Sequence, residues 1–479
     1  MEFELIQKGE KPSAWSCNKH NVSINLLKGE KTITMFWMKS NEAFIIKGLE
    51  GKKTLKGRVQ INGAKNAVLK AMSASILFNG PILLENVPNT EDVKTMQKVL
   101  EKLGAKISWL ENSDAGGRLQ IDASQIHTTD IDSEMAQSMR ASVVLTGPIL
   151  SRFGKVSFPA PGGCVIGSRP IDLFIKAYEK MGATTIVGKD SYNIETKNKD
   201  NLKGETIFFD IQTVGGTETL MMAAVLANGK TIFKNCAMEP EIVSVAEWLN
   251  SCGADIVGAG TTTIEINGTS GKLLSAKKIY KTIPDRIEAG SFIILGAVCG
   301  EDVYIERCEP KHMDALINLL KDSGVNIEVG NDYVRVQNNK DGNSFKSFNV
   351  RTHEYPGFPT DLQAQIVTML TQAQGESIVF ETIFEGRFKY TEDLQKMGAN
   401  ITVMNPREVI IKGKTDLRLV HENEELRAHD IRAGFAIVMA ALIAKGQSKI
   451  VNVHLIDRGY ENLEKRLKGI GAQIDRISS

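Results

Sequence analysis

The phrase LEKLGAKI, at residues 100–107, recurs in five further variants along the chain, and this repetition decides the fold. The other copies are YEKMGATTI (178–186), LNSCGADI (249–256), LKDSGVNI (320–327), LQKMGANI (394–401) and LKGIGAQI (467–474). Each copy has a glycine at the same place in the phrase, and apolar residues precede that glycine at the spacing of one helical face. Each phrase therefore predicts an amphipathic helix that ends at its glycine and is followed by a short strand.

The six glycines are spaced too widely for a solenoid of short repeats, which has a period of about 20–50 residues. They are Gly104, Gly182, Gly253, Gly324, Gly398 and Gly471. A glycine suits the position after the last helical turn, because the backbone there is left-handed. A strand and a polar turn precede each helix, as in ILLENVPNTED (82–92). We therefore expect an α/β fold of two similar domains, each with three strand–helix–strand repeats.

The natural crossover between the two sets of repeats is the segment KKIYKTIPDRIEAGS (277–291). The first pair of predicted strands, within 43–63, precedes the first unit. Its sequence pattern is compatible with either half of the chain. We assign 66–284 to one domain and 46–65 plus 285–479 to the other. Residues 1–45 show no apolar period, so we expect an N-terminal extension without regular structure.

The composition excludes several classes of protein. The 479 residues contain 58 Lys and Arg against 57 Asp and Glu, a formal charge of +1, which argues against a dedicated nucleic-acid or membrane-surface protein. The six cysteines form no CxxC pair and no zinc-like cluster, so we expect no disulfide framework and no metal, and a reducing cytoplasm. The longest apolar stretch, 433–444, is too short to cross a bilayer, and we interpret it as a buried helix.

Several chemically active side chains lie at the turns of the repeat. They are Lys65, Asn66, Arg140, Cys164, Arg169, Asp361, Arg387, Asp430, Arg432, Asp457 and Arg458. Each has a purely structural alternative: turn cations are usually solvated, Asp361 and Asp430 suit helix N-termini, and buried thiols are common. Their recurrence at equivalent turns instead predicts one charged cleft between the domains, suited to a small polyanion. The chain has no GxxxxGK[ST] motif and no strand–GxGxxG–helix pattern.

At these residues the chain resembles the enolpyruvyl transferases, and within them the UDP-N-acetylglucosamine 1-carboxyvinyltransferases. The shared motifs run from about residue 45 to 475, and include PGGCVIGSRPIDL (161–173), PDRIEAG (284–290), FPTDLQAQ (358–365) and HLIDRGYE (454–461). The resemblance implies two inverse α/β (inside-out barrel) domains with the active site in the interdomain cleft. It also implies transfer of enolpyruvyl from phosphoenolpyruvate to the 3′-hydroxyl of UDP-N-acetylglucosamine, with release of phosphate and without a cofactor.

The resemblance further implies a role for each charged residue. Lys65, Arg169 and Arg458 would hold the phosphate of phosphoenolpyruvate, with Asn66 beside it, and Arg387 and Arg432 would contact its carboxylate. Asp361 would act as general base, Cys164 as proton donor, and Asp430 would assist proton movement. The residues implied for the UDP-sugar are Arg140, Arg169, Pro170, Ile171, Asp172, Leu173, Thr213, Val214, Gly215, Asp361 and Ile383.

The chain departs from the family pattern on the nucleotide side of the implied site. Phe174, Ile211 and Met238 stand where the family often has His, Lys and Arg. These departures keep open a second hypothesis, a UDP-sugar-binding regulatory paralogue with weak catalysis. The sister enzyme, 5-enolpyruvylshikimate-3-phosphate synthase, is a further alternative. We expect small-molecule substrates, no nucleic acid, no membrane, and a monomer or weak homo-oligomer.

The glycine-rich loop yields the first testable prediction. We expect an epoxide alkylator such as fosfomycin to inactivate the protein by modifying Cys164, because a thiol beside Arg169 and loop amides is activated. The Cys164→Asp variant should escape. The measurement is residual phosphate release after exposure to the alkylator, and continued sensitivity of the variant would contradict the assignment.

Overall fold

The structure is a computed structural model that describes residues 42–111, 116–131, 140–159, 171–188, 191–338, 345–419 and 424–478, and three short strands before them. The α-helices in these ranges are Lys65–Ala74, Glu91–Leu103, Thr146–Phe153, Asp172–Lys180, Val214–Val225, Pro240–Ser251, Arg286–Cys299, Asp314–Asp322, Gln363–Leu370, Thr391–Lys396, Ile431–Ile443 and Leu463–Gly469. Short 3₁₀ turns include Arg140–Leu145 and Thr360–Leu362.

The described strands of the first half form three sheets, and neighbouring strands of a sheet are named in spatial order. The first contains Tyr280–Lys281, Ile82–Val87, Gly117–Asp122 and Lys106–Glu111. The second contains Ala183–Val187, Ser191–Thr196 and Lys155–Pro159. The third contains Thr206–Phe208, Lys230–Lys234, Thr263–Asn267 and Ile256–Val257.

The described strands of the second half form three more sheets. The fourth contains Leu55–Gln60, Gly300–Glu306, Tyr333–Gln337 and Asn326–Val329. The fifth contains Val350–Arg351, Gly375–Phe380, Glu408–Gly413 and Ile401–Asn405. The sixth contains Glu425–Arg427, Gln447–Val451, Glu42–Lys47 and Gln473–Ser478. Five of the six sheets thus have one order: a parallel edge strand, the strand before the amphipathic helix, an antiparallel partner, and the strand after the glycine.

The predicted helix ends are confirmed. All six repeat glycines have positive φ, from 86° at Gly398 to 111° at Gly104 and Gly253. At Gly104 the backbone N–H closes the helix onto the carbonyl of Glu101. The absence of Cβ permits this left-handed turn six times, and each turn sends the chain into its next strand.

Helices lie inside the sheets, since most residues of one helix in each unit are buried. In the second half Arg286–Cys299, Gln363–Leu370 and Ile431–Ile443 pack against each other and against sheet residues. The last of these includes most of the apolar stretch predicted to be a buried helix, which is confirmed. No described helix is both long and apolar enough to cross a membrane.

The buried apolar residues divide into two separate cores. One contains Val68 to Tyr280, and the other contains Phe44 to Ile61 together with residues from Ile287 onward. This fold of two α/β halves confirms the predicted fold class. The division also supports the boundaries 66–284 and 46–65 plus 285–479, which we retain as a proposal.

The chain passes between the halves along two connectors, residues 61–65 and 282–286. They lie antiparallel, with a bridge between Gly63 and Pro284. Ala64 donates its N–H to the carbonyl of Ile283 (2.7 Å), and Asp285 donates to the carbonyl of Asn62 (2.9 Å). Lys65 and Arg286, each the first residue of a helix, therefore leave this junction towards opposite halves.

The predicted extent of the N-terminal extension, 1–45, needs one correction. Strand Glu42–Lys47 pairs with both Gln447–Val451 and Gln473–Ser478, and its Phe44 is fully buried. The alternation of apolar side chains in this strand places it within the core of the second half. Three short strands described before it, Trp15–Cys17, Val22–Ile24 and Phe36–Trp37, form a small antiparallel sheet, in contrast to the extension without regular structure expected there.

The left-handed glycines allow a matched stability test. A Cβ at Gly253 would meet nothing within 4 Å, so Gly253→Ala would cost about 1–2 kcal/mol for its backbone conformation alone. Gly80 has the same free space without a positive φ, and Gly80→Ala should be neutral or slightly stabilising. Urea unfolding of both variants checks this, and equal stabilities would contradict it.

Candidate active site

Lys65 begins the helix Lys65–Ala74, whose apolar residues lie in the core of the first half, and it shares one carboxylate with Arg458 of the second half. Asp92, in the first turn of helix Glu91–Leu103, accepts from Lys65 Nζ through Oδ2 (2.9 Å) and from Arg458 Nε through Oδ1 (2.8 Å). Lys65 and Asp92 are buried, and Arg458 is about one-third exposed. Burial alone would raise the pKa of Asp92, but the charges of Lys65 and Arg458 lower that pKa below its ordinary value. Asp92 is thus an ionised bridge between the halves.

Asp361 lies between two buried arginines of the second half. Arg387 donates Nη2 to Asp361 Oδ1 (2.7 Å), and Arg432 Nη2 lies 3.8 Å from Oδ2. The two guanidiniums are 3% and 5% exposed, so water screens them little. Arg387 also donates Nη1 to Thr360 Oγ1 (2.7 Å), whose hydroxyl donates to Glu381 Oε2 (2.8 Å).

Electrostatic attraction also connects the arginine cluster around Asp361 to Lys65, one of the two cations that bind Asp92. Burial opposes ionisation of Asp361, yet Arg432 and Arg387 lower its pKa far below the ordinary range, and the charge of Lys65 adds to the effect. The pKa of Arg432 is raised, because the attraction of Tyr460, Asp361 and Asp285 outweighs its burial. Lys65, Arg387 and Arg432, separated in the sequence, therefore act on one carboxylate.

A second buried ion pair crosses between the halves beside these clusters. Arg286 Nε donates to Glu241 Oε1 (3.1 Å) and Oε2 (3.4 Å). Despite burial, the pKa of Arg286 is raised by Glu241, by Glu239 and, more weakly, by Asp361. The junction of the connectors is therefore lined by charges whose partners lie on the opposite half.

Asp430 caps the helix Ile431–Ile443. Its Oδ1 accepts from the backbone N–H groups of Arg432 (2.7 Å) and Ala433 (2.9 Å). Asp430 therefore has the structural role that its position at a helix N-terminus suggested. The cap also fixes the start of the helix that carries Arg432. Asn66, the second residue of helix Lys65–Ala74, is partly buried beside Lys65.

The residues predicted for the UDP-sugar fall in two places. Leu173, near the start of helix Asp172–Lys180, lies against the turn that begins helix Val214–Val225: a Cβ at Gly216 would be 2.9 Å from Leu173 Cδ2. Thr213 caps that second helix by accepting from Gly216 N–H (3.2 Å). The structure thus brings 171–173 and 213–215 together as two adjacent helix N-termini.

Ile383 lies instead beside the arginine cluster, in the second half. Its N–H donates to Glu381 Oε1 (2.8 Å), while the other oxygen of Glu381 accepts from Thr360. Cys164, Arg169 and Pro170 fall outside the described residues. Arg140 begins the turn Arg140–Leu145, and its side chain is not described.

Comparison with known proteins identifies the family. The sequence profile of the EPSP synthase (3-phosphoshikimate 1-carboxyvinyltransferase) family matches residues 49–467. The chain belongs to this family. It is therefore a transferase of the enolpyruvyl class, as the motifs predicted.

Among curated relatives, the UDP-N-acetylglucosamine 1-carboxyvinyltransferase of Desulforapulum autotrophicum is 43% identical over 90% of this chain and 99% of its own. That of Acidobacterium capsulatum is 44% identical over 90% of this chain and 96% of its own.

Solved structures share the fold at low sequence identity. The enolpyruvyl transferase NikO from Streptomyces tendae matches with a TM-score of 0.80 at 21% identity, covering 92% of this chain and all of its own. EPSP synthase from Acinetobacter baumannii matches with a TM-score of 0.66 at 18% identity, covering 91% of this chain and all of its own. These matches confirm the predicted two-domain α/β fold.

The sequence alone does not indicate several of the partners that hold the predicted cations. Asp92 lies in NTED (89–92), where two acids in the first helical turn are explained by the helix dipole alone. Thr360 and Glu381 carry no pattern of their own, and the motif PDRIEAG by itself indicates no role for Arg286. The available signal was charge balance: buried cations need anions, and no anion was predicted for Lys65 and Arg458.

The arginine cluster generates a stability prediction with a defined pH dependence. Asp361→Asn leaves two buried guanidiniums without their anion and should cost about 3 kcal/mol of unfolding free energy at pH 7. The folded pKa of Asp361 is depressed, so its contribution is present above the unfolded value near pH 4 and is lost as the pH falls. Unfolding at pH 7 and pH 3 should therefore show a smaller difference at pH 3.

The matched control is Asp416→Asn, which breaks an exposed pair with Lys445 (2.9 Å) and should change stability little. A pH-independent loss in Asp361→Asn would contradict the assigned role of its charge.

Proposed function

We propose that the chain transfers the enolpyruvyl group of phosphoenolpyruvate to the 3′-hydroxyl of UDP-N-acetylglucosamine and releases phosphate, the first committed step of peptidoglycan synthesis. The main support is that relatives of that name are 40–44% identical over about nine-tenths of this chain. The solved EPSP synthases share the fold at 17–18% identity, so shikimate 3-phosphate is the less favoured acceptor.

The charged clusters suit the two ends of phosphoenolpyruvate. Lys65 and Arg458 approach from opposite halves, as a phosphate held between domains requires. Arg387 and Arg432 would bind the carboxylate, because a planar guanidinium recognises carboxylate oxygens in a bidentate way. Arg169, on the glycine-rich loop, would complete the phosphate contacts, with Asn66 beside them.

Asp361 would accept the proton of the sugar hydroxyl. As the structure stands, two arginines make this carboxylate a weak base. Binding the substrate carboxylate would draw on the same two guanidiniums and add a negative charge, so the pKa of Asp361 would rise. The base would thus gain strength when phosphoenolpyruvate is in place, since a catalytic base works best with its pKa near the working pH.

The reaction itself is an addition followed by an elimination. The sugar oxygen would bond to C2 of phosphoenolpyruvate as its proton passes to Asp361, while Cys164 protonates C3 to give a tetrahedral intermediate. Loss of a proton from C3 and departure of phosphate from C2 would restore the double bond. Asp430, held at its helix cap beside Arg432, would assist these proton transfers, and the chemistry needs no metal or cofactor.

The UDP-sugar would lie across the adjacent helix N-termini at 171–173 and 213–215, because the positive end of a helix dipole favours an anionic diphosphate. Arg140, Arg169, Pro170 and Ile383 would complete its surroundings. Cys236, Cys252, Cys299 and Cys308, the cysteines whose side chains the structure describes, are free thiols, in keeping with a reaction in the reducing cytoplasm. We propose a monomer or weak homo-oligomer that binds neither membrane nor nucleic acid.

The decisive measurement is phosphate release from phosphoenolpyruvate with either acceptor. We expect turnover with UDP-N-acetylglucosamine and none with shikimate 3-phosphate. Asp361→Asn should lower kcat by about 10²–10⁴-fold, the usual contribution of a general base. Circular dichroism at the assay temperature verifies that this variant is folded.

Asp416→Asn serves as the matched control and should retain wild-type turnover. Turnover with shikimate 3-phosphate alone would reject the proposal. Binding of the UDP-sugar without turnover would instead favour a regulatory paralogue.

A further inference from the structure

Asp92 stands out among the charged residues because neither the reaction nor the fold by itself accounts for it. It is an acid placed where an anionic substrate is expected, and both of its oxygens are engaged by cations from opposite halves. Burying a carboxylate is costly unless it is paired, and two partners provide that compensation here.

The neighbouring backbone tightens this arrangement. Glu91, one residue before Asp92, donates its N–H to the carbonyl of Asp457 (3.3 Å), one residue before Arg458. Lys65 is the first residue of its helix and directly follows a connector between the halves. Three segments, each held by backbone hydrogen bonds, therefore meet at the carboxylate of Asp92.

We propose that Asp92 is a positioning residue that holds Lys65 and Arg458 at a fixed separation, so that together they form the phosphate subsite. This inference rests on the proposed function for the identity of the substrate. Asp92 does not touch substrate in this role. It sets the distance between the phosphate-binding cations and the arginine cluster around Asp361, and so matches the length of a ligand with an anion at each end.

The charge balance leads to an expectation that a purely structural role does not share. With Asp92 present, the triad of Lys65, Asp92 and Arg458 has a net charge of +1. Asp92→Asn raises it to +2 and removes an acceptor from Lys65, while the amide oxygen can still accept from Arg458. A simple anion should then bind as well or better, whereas a ligand that needs two subsites in register should bind worse.

The test compares two probes, inorganic phosphate and phosphoenolpyruvate, by calorimetric titration of the full chain. For Asp92→Asn we expect an unchanged or lower Kd for phosphate and a loss of about tenfold or more in the preference for phosphoenolpyruvate. In the phosphate-release assay, kcat should fall by about 10–100-fold, the effect of a misplaced catalytic group. Asp92→Glu, which keeps the negative charge, should recover part of the preference for phosphoenolpyruvate and part of kcat.

The matched control is Glu461→Gln. Glu461 is also a buried acid that connects the halves, accepting from Asn62 Nδ2 (3.1 Å) and the Asn89 N–H (3.0 Å), but it has no part in the proposed triad. Its variant should keep the preference for phosphoenolpyruvate within about twofold. Thermal unfolding of all variants shows which of them are folded. If Asp92→Asn is not folded, Asp92→Glu is used in its place.

Two results would overturn the proposal: an Asp92 variant with unchanged preference and kcat, or one in which phosphate and phosphoenolpyruvate weaken equally. The two calorimetric titrations, with phosphate and with phosphoenolpyruvate, need no sugar acceptor. If the wild type releases no phosphate with UDP-N-acetylglucosamine, the proposed function fails, while the two-probe comparison still judges Asp92.

Discussion

The antiparallel pairing of residues 61–65 with 282–286 is the constraint on which the rest of the molecule depends. Two backbone hydrogen bonds, from Ala64 to Ile283 and from Asp285 to Asn62, hold together the segments along which the chain passes between its halves. Because each segment leads directly into a buried helix, the pairing fixes where both helices begin. Lys65 and Arg286 take their positions from it.

Charge is distributed across this junction in a consistent way. The cations near it are paired with anions: Lys65 and Arg458 share Asp92, Arg286 pairs with Glu241, and Arg387 and Arg432 flank Asp361. Breaking such pairs in a low-dielectric setting is costly, so the partners keep the cations ionised and oriented. A substrate with three negative charges would therefore bind to cations that are already ionised and oriented.

Much of the site could be predicted because a repeat marks its turns. The six glycines locate the helix ends, and the charged residues at equivalent turns include Lys65, Asp361, Arg387, Arg432 and Arg458, which the structure places in two neighbouring charged clusters. The anionic partners could not be predicted in the same way. Asp92 and Glu241 occupy the first turn of ordinary helices, where acids are common, and only spatial proximity distinguishes them from dipole-stabilising residues.

The sequence by itself determined the α/β class, the count of six units and their division into three and three, since helical periodicity and left-handed glycines are local properties of the chain. Only the tertiary structure decided that strand Glu42–Lys47 belongs to the sheet of the C-terminal unit, and that Asp92 bridges the halves. These are outcomes of long-range pairing, which brings together residues about 400 positions apart, and no local pattern specifies which residues meet.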